Sequence, residues 1–340
     1  MKQNILLLCS LICCTSNLLA TIYTVSADPT RPAQYTTLTD AHNAASNDDT
    51  IQWYGNVYPG ALNLNKRLTI IGSSTIPEDQ MPSVTLNPGA GNSNFISGKY
   101  NSISRHTLST DQVCYIRNCY TNIAGTLGWI VTNSVLGNLS NTADEVGANS
   151  VYRNCLFLGQ LPTYESGNSI NINTGNGGNL LFDHCVFYGT LNFNHSTDLV
   201  QVIFSNCIFK EISSSSCFPT TTLFNNNLFV NLTFVGTQYC GPQVLANNIM
   251  NAPDPFINPS ETFLNTMNFQ LTPGSAGSNA ASDGSDMGLH GGIDAWPTSY
   301  QYTLFVPGVP VVTSLSLQNH IIGVSDSLQM NATGTIPSNE

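Results

Sequence analysis

Arg153-Asn154-Cys155-Leu156-Phe157 is a short segment whose order of residue types recurs along the chain. The other copies with a thiol are Arg117-Asn118-Cys119-Tyr120, Asp183-His184-Cys185-Val186-Phe187 and Ser205-Asn206-Cys207-Ile208-Phe209. Copies without the thiol are Thr132-Asn133-Ser134-Val135-Leu136, Asn225-Asn226-Asn227-Leu228-Phe229 and Ala246-Asn247-Asn248-Ile249-Met250. From Cys185 onward the copies follow one another every 20 to 22 residues. This period, with short apolar segments broken by Asn and Gly, is typical of a solenoid with one coil per repeat.

Stacked coils place equivalent residues in columns, because neighbouring parallel strands lie about 4.8 Å apart. The repeat therefore predicts a column of small buried side chains, formed by Cys119, Ser134, Cys155, Cys185 and Cys207, with free thiols. It also predicts an Asn column one residue earlier, which His184 interrupts, with amides that bond from coil to coil. Cys217 and Cys240 fall outside this register, and a disulfide between them is an open alternative.

The composition excludes some classes of partner. Only 9% of the 340 residues are charged, the net charge is −11, and no Lys or Arg follows Lys210. Nucleic acid is a poor partner, because phosphate binding needs clustered cations. An acidic polysaccharide is disfavoured in the C-terminal third unless a cation such as Ca²⁺ bridges the charges.

The first 20 residues are typical of a signal peptide, with Lys2, an apolar run from Ile5 to Ile12, and Ala20 before Thr21. Lipidation at Cys13 or Cys14 is an alternative, although Ile12 suits that cleavage poorly. No later apolar run is long enough to span a bilayer. We therefore expect a monomer without a membrane span that is secreted, periplasmic or displayed at the cell surface.

Both ends of the predicted solenoid carry capping signals. Thr37-Leu38-Thr39-Asp40 fits a capping box, and Leu38, Ala41, Ala44 and Ala45 then share one face of a short helix over the first coil. We predict an all-β solenoid over residues 21–292. After Gly292 the period-two segments 309–317 and 327–332 predict a short β tail over residues 293–340.

Two segments resemble a known superfamily. Thr21 to Gly72 resembles the N-terminal cap and first coil of bacterial right-handed parallel β-helix proteins, which include pectate lyases and chondroitinase-type lyases. Phe269 to Gly277, followed by Asp286 to Gly292, resembles the closing coil of such proteins in the Bacteroidetes. The resemblance implies a right-handed, single-stranded β-helix with an N-terminal capping helix. Since this fold carries many functions, it does not identify an activity.

In the lyases of this superfamily a basic residue abstracts a proton beside a uronate carboxylate, and Ca²⁺ neutralises that carboxylate. Candidates here are Arg153, Asp183 and His184, because Arg153 and Asp183 occupy the same register of successive copies. The loops around them predict a ligand-binding group of Asp144, Glu145, Tyr164 and Glu165. A stacked structural salt bridge with ordinary surface loops is the alternative.

Asp283 and Asp286 lie in a glycine-containing turn, and their carboxylates suit a Ca²⁺ site; capping of the turn backbone is the alternative. No other cofactor is expected. The leading hypothesis for function is a non-catalytic protein that binds carbohydrate or acts as an adhesin, with an extracellular polysaccharide or an envelope component as partner. The alternative is a Ca²⁺-dependent polysaccharide lyase that acts on a uronate-containing glycan.

Overall fold

The computed structural model describes most of the chain after residue 19. The described residues are 20–73, 80–87, 94–105, 114–125, 128–140, 149–159, 169–174, 178–195, 200–213, 216, 218–220, 222–232, 244–257, 269–296, 311–317 and 330–335. Residues 1–19 of the predicted signal peptide, with Cys13 and Cys14, lie outside this part, as do Cys217 and Cys240. Among the described residues no helix is long and apolar enough to cross a membrane.

The described part contains one short helix and a long series of strands. The helix is α1 (Leu38–Ala44). The strands of the first half are β1 (Ile22–Val25), β2 (Thr50–Trp53), β3 (Leu62–Leu64), β4 (Thr69–Ile71), β5 (Ser83–Leu86), β6 (Asn94–Arg105), β7 (Cys114–Gly125), β8 (Trp129–Thr132), β9 (Val135–Ser140), β10 (Asn149–Arg153) and β11 (Leu156–Phe157). Those of the second half are β12 (Ser169–Thr174), β13 (Gly178–Asp183), β14 (Val186–His195), β15 (Val200–Ser205), β16 (Ile208–Ile212), β17 (Leu223–Asn225), β18 (Leu228–Val230), β19 (Val244–Ala246), β20 (Ile249–Ala252), β21 (Val311–Leu317) and β22 (Met330–Thr335).

Strands β1 to β20 pair in parallel and form three stacks along one solenoid. The first stack follows the order β1, β2, β4, β6, β7, β8, β10, β13, β15, β17 and β19. The second begins in the middle of β6 and β7 and continues through β9, β11, β14, β16, β18 and β20. The third joins β3, β5 and β12 to the ends of the long strands. The predicted all-β solenoid is confirmed at this level.

Aromatic columns fill the interior of the middle coils. In the first stack, Tyr152, Phe182, Phe204 and Phe224 pack ring on ring with centroids 4.9–5.0 Å apart. In the second stack, Phe157, Phe187, Phe209 and Phe229 do the same at 4.7–5.1 Å. Rings of one column meet the edges of the other, as Phe187 meets Phe204 at 76°. Since the ring spacing equals the strand spacing, in-register pairing and aromatic packing stabilise each other.

The thiol column is confirmed. Cys119, Cys155, Cys185 and Cys207 are free, fully buried and follow one another from coil to coil with Ser134. Each thiol donates to backbone carbonyls, as Cys155 Sγ does to the oxygens of Arg153 at 3.2 Å and Val131 at 3.5 Å. Burial raises the pKa of the Cys119, Cys155 and Cys207 thiols well above its usual value. They are therefore neutral packing groups.

We expect the column thiols to resist alkylation in the folded protein, because all four are fully buried and therefore inaccessible to the reagent. Maleimide labelling followed by peptide mass spectrometry should leave Cys119, Cys155, Cys185 and Cys207 unmodified in buffer and modify all four in guanidinium. Modification of any of them at the rate of an exposed cysteine in buffer would contradict the buried column.

The N-terminal helix forms largely as predicted. Thr37 Oγ1 accepts from the Asp40 amide at 3.1 Å, which is the predicted N-cap, and Leu38 and Ala41 are buried. The predicted apolar face is wrong at Ala44, which is exposed, because the helix turns His42 inward instead. At the other end, Lys66 Nζ donates to the carbonyls of His42 and Ala45, at 2.6 and 2.7 Å. A cation on these carbonyls stabilises the helix C-terminus.

The two segments that resemble a closing coil lie within residues 269–296. Residues 269–296, here called the strap, contain no strand and lie along the outer side of the second stack. A β-carbon on Gly288 would lie 2.9 Å from Ile208 Cδ1 and 3.0 Å from Val186 Cγ2. The outer side chains of the second stack, Val135, Leu156, Val186, Ile208 and Leu228, are at most 1% exposed. The strap residues resemble a closing coil in sequence, but they cover apolar side chains on the side of the solenoid. In the predicted tail, β21 and β22 form an antiparallel pair.

Candidate functional site

A column of left-handed turn residues separates the first stack from the second. Asn118, Asn133, Asn154, His184, Asn206, Asn226 and Asn247 all have φ between 48° and 56°. Asn tolerates this backbone conformation because its short polar side chain bonds locally. The predicted bonding from amide to amide occurs only weakly among these residues, since Asn247 Nδ2 lies 3.5 Å from Asn226 Oδ1.

Three members of this column hold the strap. Asn154 Nδ2 donates to the carbonyls of Leu289 at 3.0 Å and Gly291 at 2.7 Å. The backbone oxygen of Asn154 accepts from Trp296 Nε1 at 2.6 Å. Asn206 Oδ1 accepts from the Ser282 amide at 2.8 Å, and its backbone oxygen accepts from the Gly288 amide at 2.9 Å. Asn154 and Asn206 thus bind the strap on either side of His184, the third member of the column that contacts it.

His184 stands at the centre of these contacts. Its Nδ1 lies 3.0 Å from Asp183 Oδ1, and its Nε2 lies 3.2 Å from Ser285 Oγ on the strap. Asp283 Oδ1 is 3.8 Å from the same Nε2. Only 3% of the imidazole is exposed, and a β-carbon on Gly292 would lie 2.8 Å from its Nδ1. The strap therefore covers the ring.

Carboxylate, imidazole and hydroxyl follow one another here in the order found in serine hydrolases. However, Ser285 Oγ donates to Asp283 Oδ1 at 2.6 Å and accepts from the Gly292 amide at 2.9 Å. A serine nucleophile needs its proton directed at the base and its oxygen open to a substrate. Because the Ser285 hydroxyl is engaged on both sides, the geometry favours a structural role. Asp183, His184, Asp283 and Ser285, here called the clasp, fasten the strap to the solenoid.

The predicted catalytic residues lie together on two neighbouring coils. Arg153 and Asp183 are Cα partners in the β10–β13 register, as the repeat predicts. Asp183 Oδ1 also accepts from Asn206 Nδ2 at 3.0 Å. Burial by itself would raise the pKa of Asp183, but the hydrogen bonds from His184 and Asn206 and the charge of Arg153 outweigh burial and lower it.

The lowered pKa of Asp183 predicts a contribution to stability that acid removes. The carboxylate is favoured in the folded state, so its contribution is present above the usual pKa of about 3.9 and is lost as the pH falls through the lower folded value. We expect Asp183→Asn to be less stable than the wild type at pH 6 and the difference to shrink below about pH 4. Guanidinium unfolding at several pH values measures this difference, and a gap that stays constant down to pH 2.5 would contradict it.

The two proposed calcium ligands serve separate turns. Asp283 Oδ1 accepts from the amide and the hydroxyl of Ser285, at 3.0 and 2.6 Å. Asp286 Oδ1 accepts from the Asn279 amide at 2.8 Å. These bonds fit the alternative of turn capping. Within the described ranges, no three His, Cys, Asp or Glu side chains are grouped as metal ligands would be. The predicted ligand-binding group of Asp144, Glu145, Tyr164 and Glu165 lies outside the described residues.

Sequence reasoning missed a second feature, a row of apolar side chains on the outer side of the first stack. This outer ladder consists of Phe95, Tyr115, Ile130, Val151, Leu181, Ile203 and Leu223, which are successive partners in register. All are at least partly exposed, and Phe95 is 51% exposed and stacks on Tyr115 at 4.8 Å. Seven rungs extend over about 29 Å at the strand spacing.

Polar rows flank the outer ladder two residues away along the strands, and both rows are present at β10, β13 and β15. One, the amide row, contains Asn149, Asn179 and Gln201, all exposed. The other, the mixed row, contains Arg117, Thr132, Arg153, Asp183, Ser205 and Asn225. The candidate catalytic residues Arg153 and Asp183 thus belong to the rim of a larger surface.

The outer side of the third stack differs, because its polar groups bond to one another. Asn138 Oδ1 accepts from the Asn171 amide at 2.8 Å, and Asn122 Oδ1 accepts from the Asn138 amide at 3.1 Å. Asn192 Nδ2 continues the row to Asn171 Oδ1 at 3.3 Å. These acceptors are already used within the solenoid, so the first stack offers the more available surface.

No protein-family model matches the chain, and no curated protein is detectably similar to it in sequence. The case for a function therefore depends on the geometry of the outer ladder and of the clasp.

Proposed function

We propose that the protein is an exported β-helix protein that binds carbohydrate without catalysis, through the outer ladder and its two polar rows. The observation that carries the proposal is an apolar row about 29 Å long, with the mixed row along one side and the amide row along the other side at β10, β13 and β15. Rows on one side of a strand are about 6.6 Å apart. This pattern matches a sugar chain, since a pyranose has apolar C–H faces and hydroxyls at its edges.

The clasp supports a binding role over a catalytic one. His184 is covered by the strap, and the Ser285 hydroxyl is engaged by Asp283 and Gly292. Asp183 accepts hydrogen bonds from His184 and Asn206. These side chains already have partners that stabilise the fold, which is the structural alternative to catalysis.

A polysaccharide lyase remains the second candidate, and one observation favours it. Arg153 lies in the mixed row beside the outer ladder, where it would face a sugar chain bound there. A guanidinium at that place could hold a uronate carboxylate, and the neutral guanidine form could accept the neighbouring proton. Calcium would be needed to neutralise the carboxylate in such a reaction.

One experiment separates the two functions. The full chain is incubated with pectic, alginate, glycosaminoglycan and neutral polysaccharides, with and without Ca²⁺, while binding and the ultraviolet absorbance of unsaturated products are followed. We expect binding without product. Product that accumulates with the wild type and not with Arg153→Ala would make the protein a lyase. Absence of binding to every polymer would contradict both functions.

We also propose that the solenoid is right-handed, that α1 caps its first coil, and that the chain belongs with the pectate-lyase-like β-helices. Crossovers between parallel strands are right-handed in about 98% of proteins, which supports the hand. The outer edge of β1 is paired with its own chain, since the Tyr35 amide donates to the Thr24 carbonyl at 3.0 Å and the Thr24 amide donates to Gln34 Oε1 at 3.0 Å. Such pairing protects a sheet edge.

The proposed export and localisation depend on the N-terminal sequence. We infer cleavage after Ala20 and a secreted, periplasmic or surface location. N-terminal sequencing of the mature protein should begin at Thr21, whereas a lipid-modified Cys13 or Cys14 at the N-terminus would make it a lipoprotein.

A further inference from the structure

We propose that the ligand of the outer ladder is a neutral, unbranched glycan that lies along the solenoid axis with about one sugar per coil. This inference rests on the proposed function, and it adds the charge, the direction and the length of the bound chain. It follows from the charges of the flanking rows and from the shape of the ladder.

The flanking charges do not match a polyanion. The two cations of the mixed row, Arg117 and Arg153, lie beside the second and the fourth of the seven rungs. The next rung, Leu181, lies beside the Asp183 carboxylate, and the rungs Ile203 and Leu223 lie beside Ser205 and Asn225. A uronate polymer carries one carboxylate per sugar. It would therefore meet repulsion at Asp183 and no cation on the two rungs beyond it.

The amide row carries no charge. Asn149, Asn179 and Gln201 are exposed, and they border the rungs Val151, Leu181 and Ile203. Amides donate and accept hydrogen bonds, and hydroxyls do the same, so the two groups are complementary without charge. The middle of the surface is therefore suited to hydroxyl groups on both edges of a bound sugar chain.

The shape of the ladder indicates the direction. Along the axis, apolar side chains continue over seven rungs, or about 29 Å, with a spacing near the rise of one sugar in an extended β-1,4-linked chain. Across β10, β13 and β15, one apolar row lies between two polar rows, so a transverse chain there would place most of its sugar faces on polar side chains. A chain along the axis keeps every apolar face on the ladder, and polar rows close beside the ladder favour a chain without branches.

The test is a length series measured by isothermal titration calorimetry on the full chain. The probes are β-1,4-linked glucose, N-acetylglucosamine and mannose oligosaccharides of two to ten sugars, with oligogalacturonides of equal length as acidic probes. We expect at least one neutral series to bind with affinity that rises up to about seven sugars and then levels off, since the ladder has seven rungs. The oligogalacturonides should bind at least about tenfold more weakly than that series.

Variants connect the binding to the ladder. Ile203→Asp places a carboxylate on a rung and should weaken neutral binding about tenfold or more, and Ile203→Thr, which keeps the branched β-carbon, should weaken it about threefold. Ile293→Asp and Ile293→Thr are matched controls, because Ile293 lies on the strap and is 85% exposed. Circular dichroism and thermal melting identify any variant that fails to fold, and the Thr pair then carries the test.

The outcomes distinguish this inference from the proposed function. Stronger, ladder-dependent binding of oligogalacturonides would overturn the neutral ligand and leave carbohydrate binding in place. A plateau at four sugars or fewer would overturn the axial direction. Equal effects of the Ile203 and Ile293 substitutions would exclude the outer ladder as the site. Absence of binding by every oligosaccharide and every polymer would overturn the inference and the proposed function together.

Discussion

Phe204→Ala is expected to reduce the free energy of unfolding by about 3–5 kcal/mol, the usual loss for a fully buried aromatic side chain. Phe204 is 0% exposed and stacks on Phe182 and Phe224, both at 4.9 Å. It also meets the edges of Phe187 at 5.7 Å and Phe209 at 5.3 Å. Alanine would leave a cavity between coils that rigid strand pairing prevents from closing. Guanidinium unfolding followed by circular dichroism measures the loss.

Phe95→Ala is the matched control for this prediction. Phe95 lies on the outer side of the same stack, is 51% exposed, and stacks only on Tyr115 among the rings of the described residues. Its removal should reduce stability by about 1 kcal/mol. Since coils interact mainly with their neighbours, Phe204→Ala should also broaden the unfolding transition by uncoupling the two halves. Equal losses for Phe204→Ala and Phe95→Ala would contradict the central role of the interior column.

The solenoid could be predicted because its strongest signals are local and repeated. The recurring Asn-Cys-apolar segment indicates the turn, the inward thiol and the strand that follows, and each copy repeats the same information. The register between Arg153 and Asp183 follows directly, because equivalent positions of successive coils are neighbours. The N-cap at Thr37 is equally local, since both partners lie within one turn of helix.

The strap could not be predicted, because its contacts join residues far apart in the sequence. Asn154 binds Leu289 across 135 positions, and His184 binds Ser285 across 101. The copies that contain Asn154, His184 and Asn206 resemble those that contain Asn226 and Asn247, yet only the first three bind the strap. Nothing in the repeat marks this difference, apart from the replacement of Asn by His at position 184.

The candidate site was predicted only in part, because some of its contacts also join residues far apart in the sequence. The Arg153, Asp183 and His184 group was found from register, but register does not reveal that His184 faces the strap while Arg153 and Asp183 border an outer surface. The outer ladder was missed because Ile130, Val151 and Leu181 alternate with interior residues that are also apolar. A strand that is apolar on both sides has no period-two contrast.

His184→Ala is expected to reduce the free energy of unfolding by about 2–4 kcal/mol and to release the strap locally. The substitution removes one of the two hydrogen bonds to Asp183 Oδ1 and the contact with Ser285 Oγ. A lost hydrogen bond costs about 0.5–1.5 kcal/mol, or about 1.5–3 kcal/mol where one group is charged. Alanine also disfavours the backbone at this position, where φ is 50°, by about 1 kcal/mol. Hydrogen exchange should accelerate at the amides of Ser282, Gly288 and Gly292, which bond to Asn206 and Ser285.

Asn247→Ala separates the clasp from the backbone effect. Asn247 occupies the same turn position with φ of 54°, but it is exposed and its amide lies 3.5 Å from Asn226 rather than against the strap. Asn247→Ala should reduce the free energy of unfolding only by the backbone contribution, about 1 kcal/mol, and should leave amide hydrogen exchange in residues 281–296 unchanged. If His184→Ala and Asn247→Ala lose the same stability and neither alters exchange in the strap, His184 is an ordinary turn residue. If only His184→Ala frees the strap, the imidazole holds the strap over the apolar side chains of the second stack.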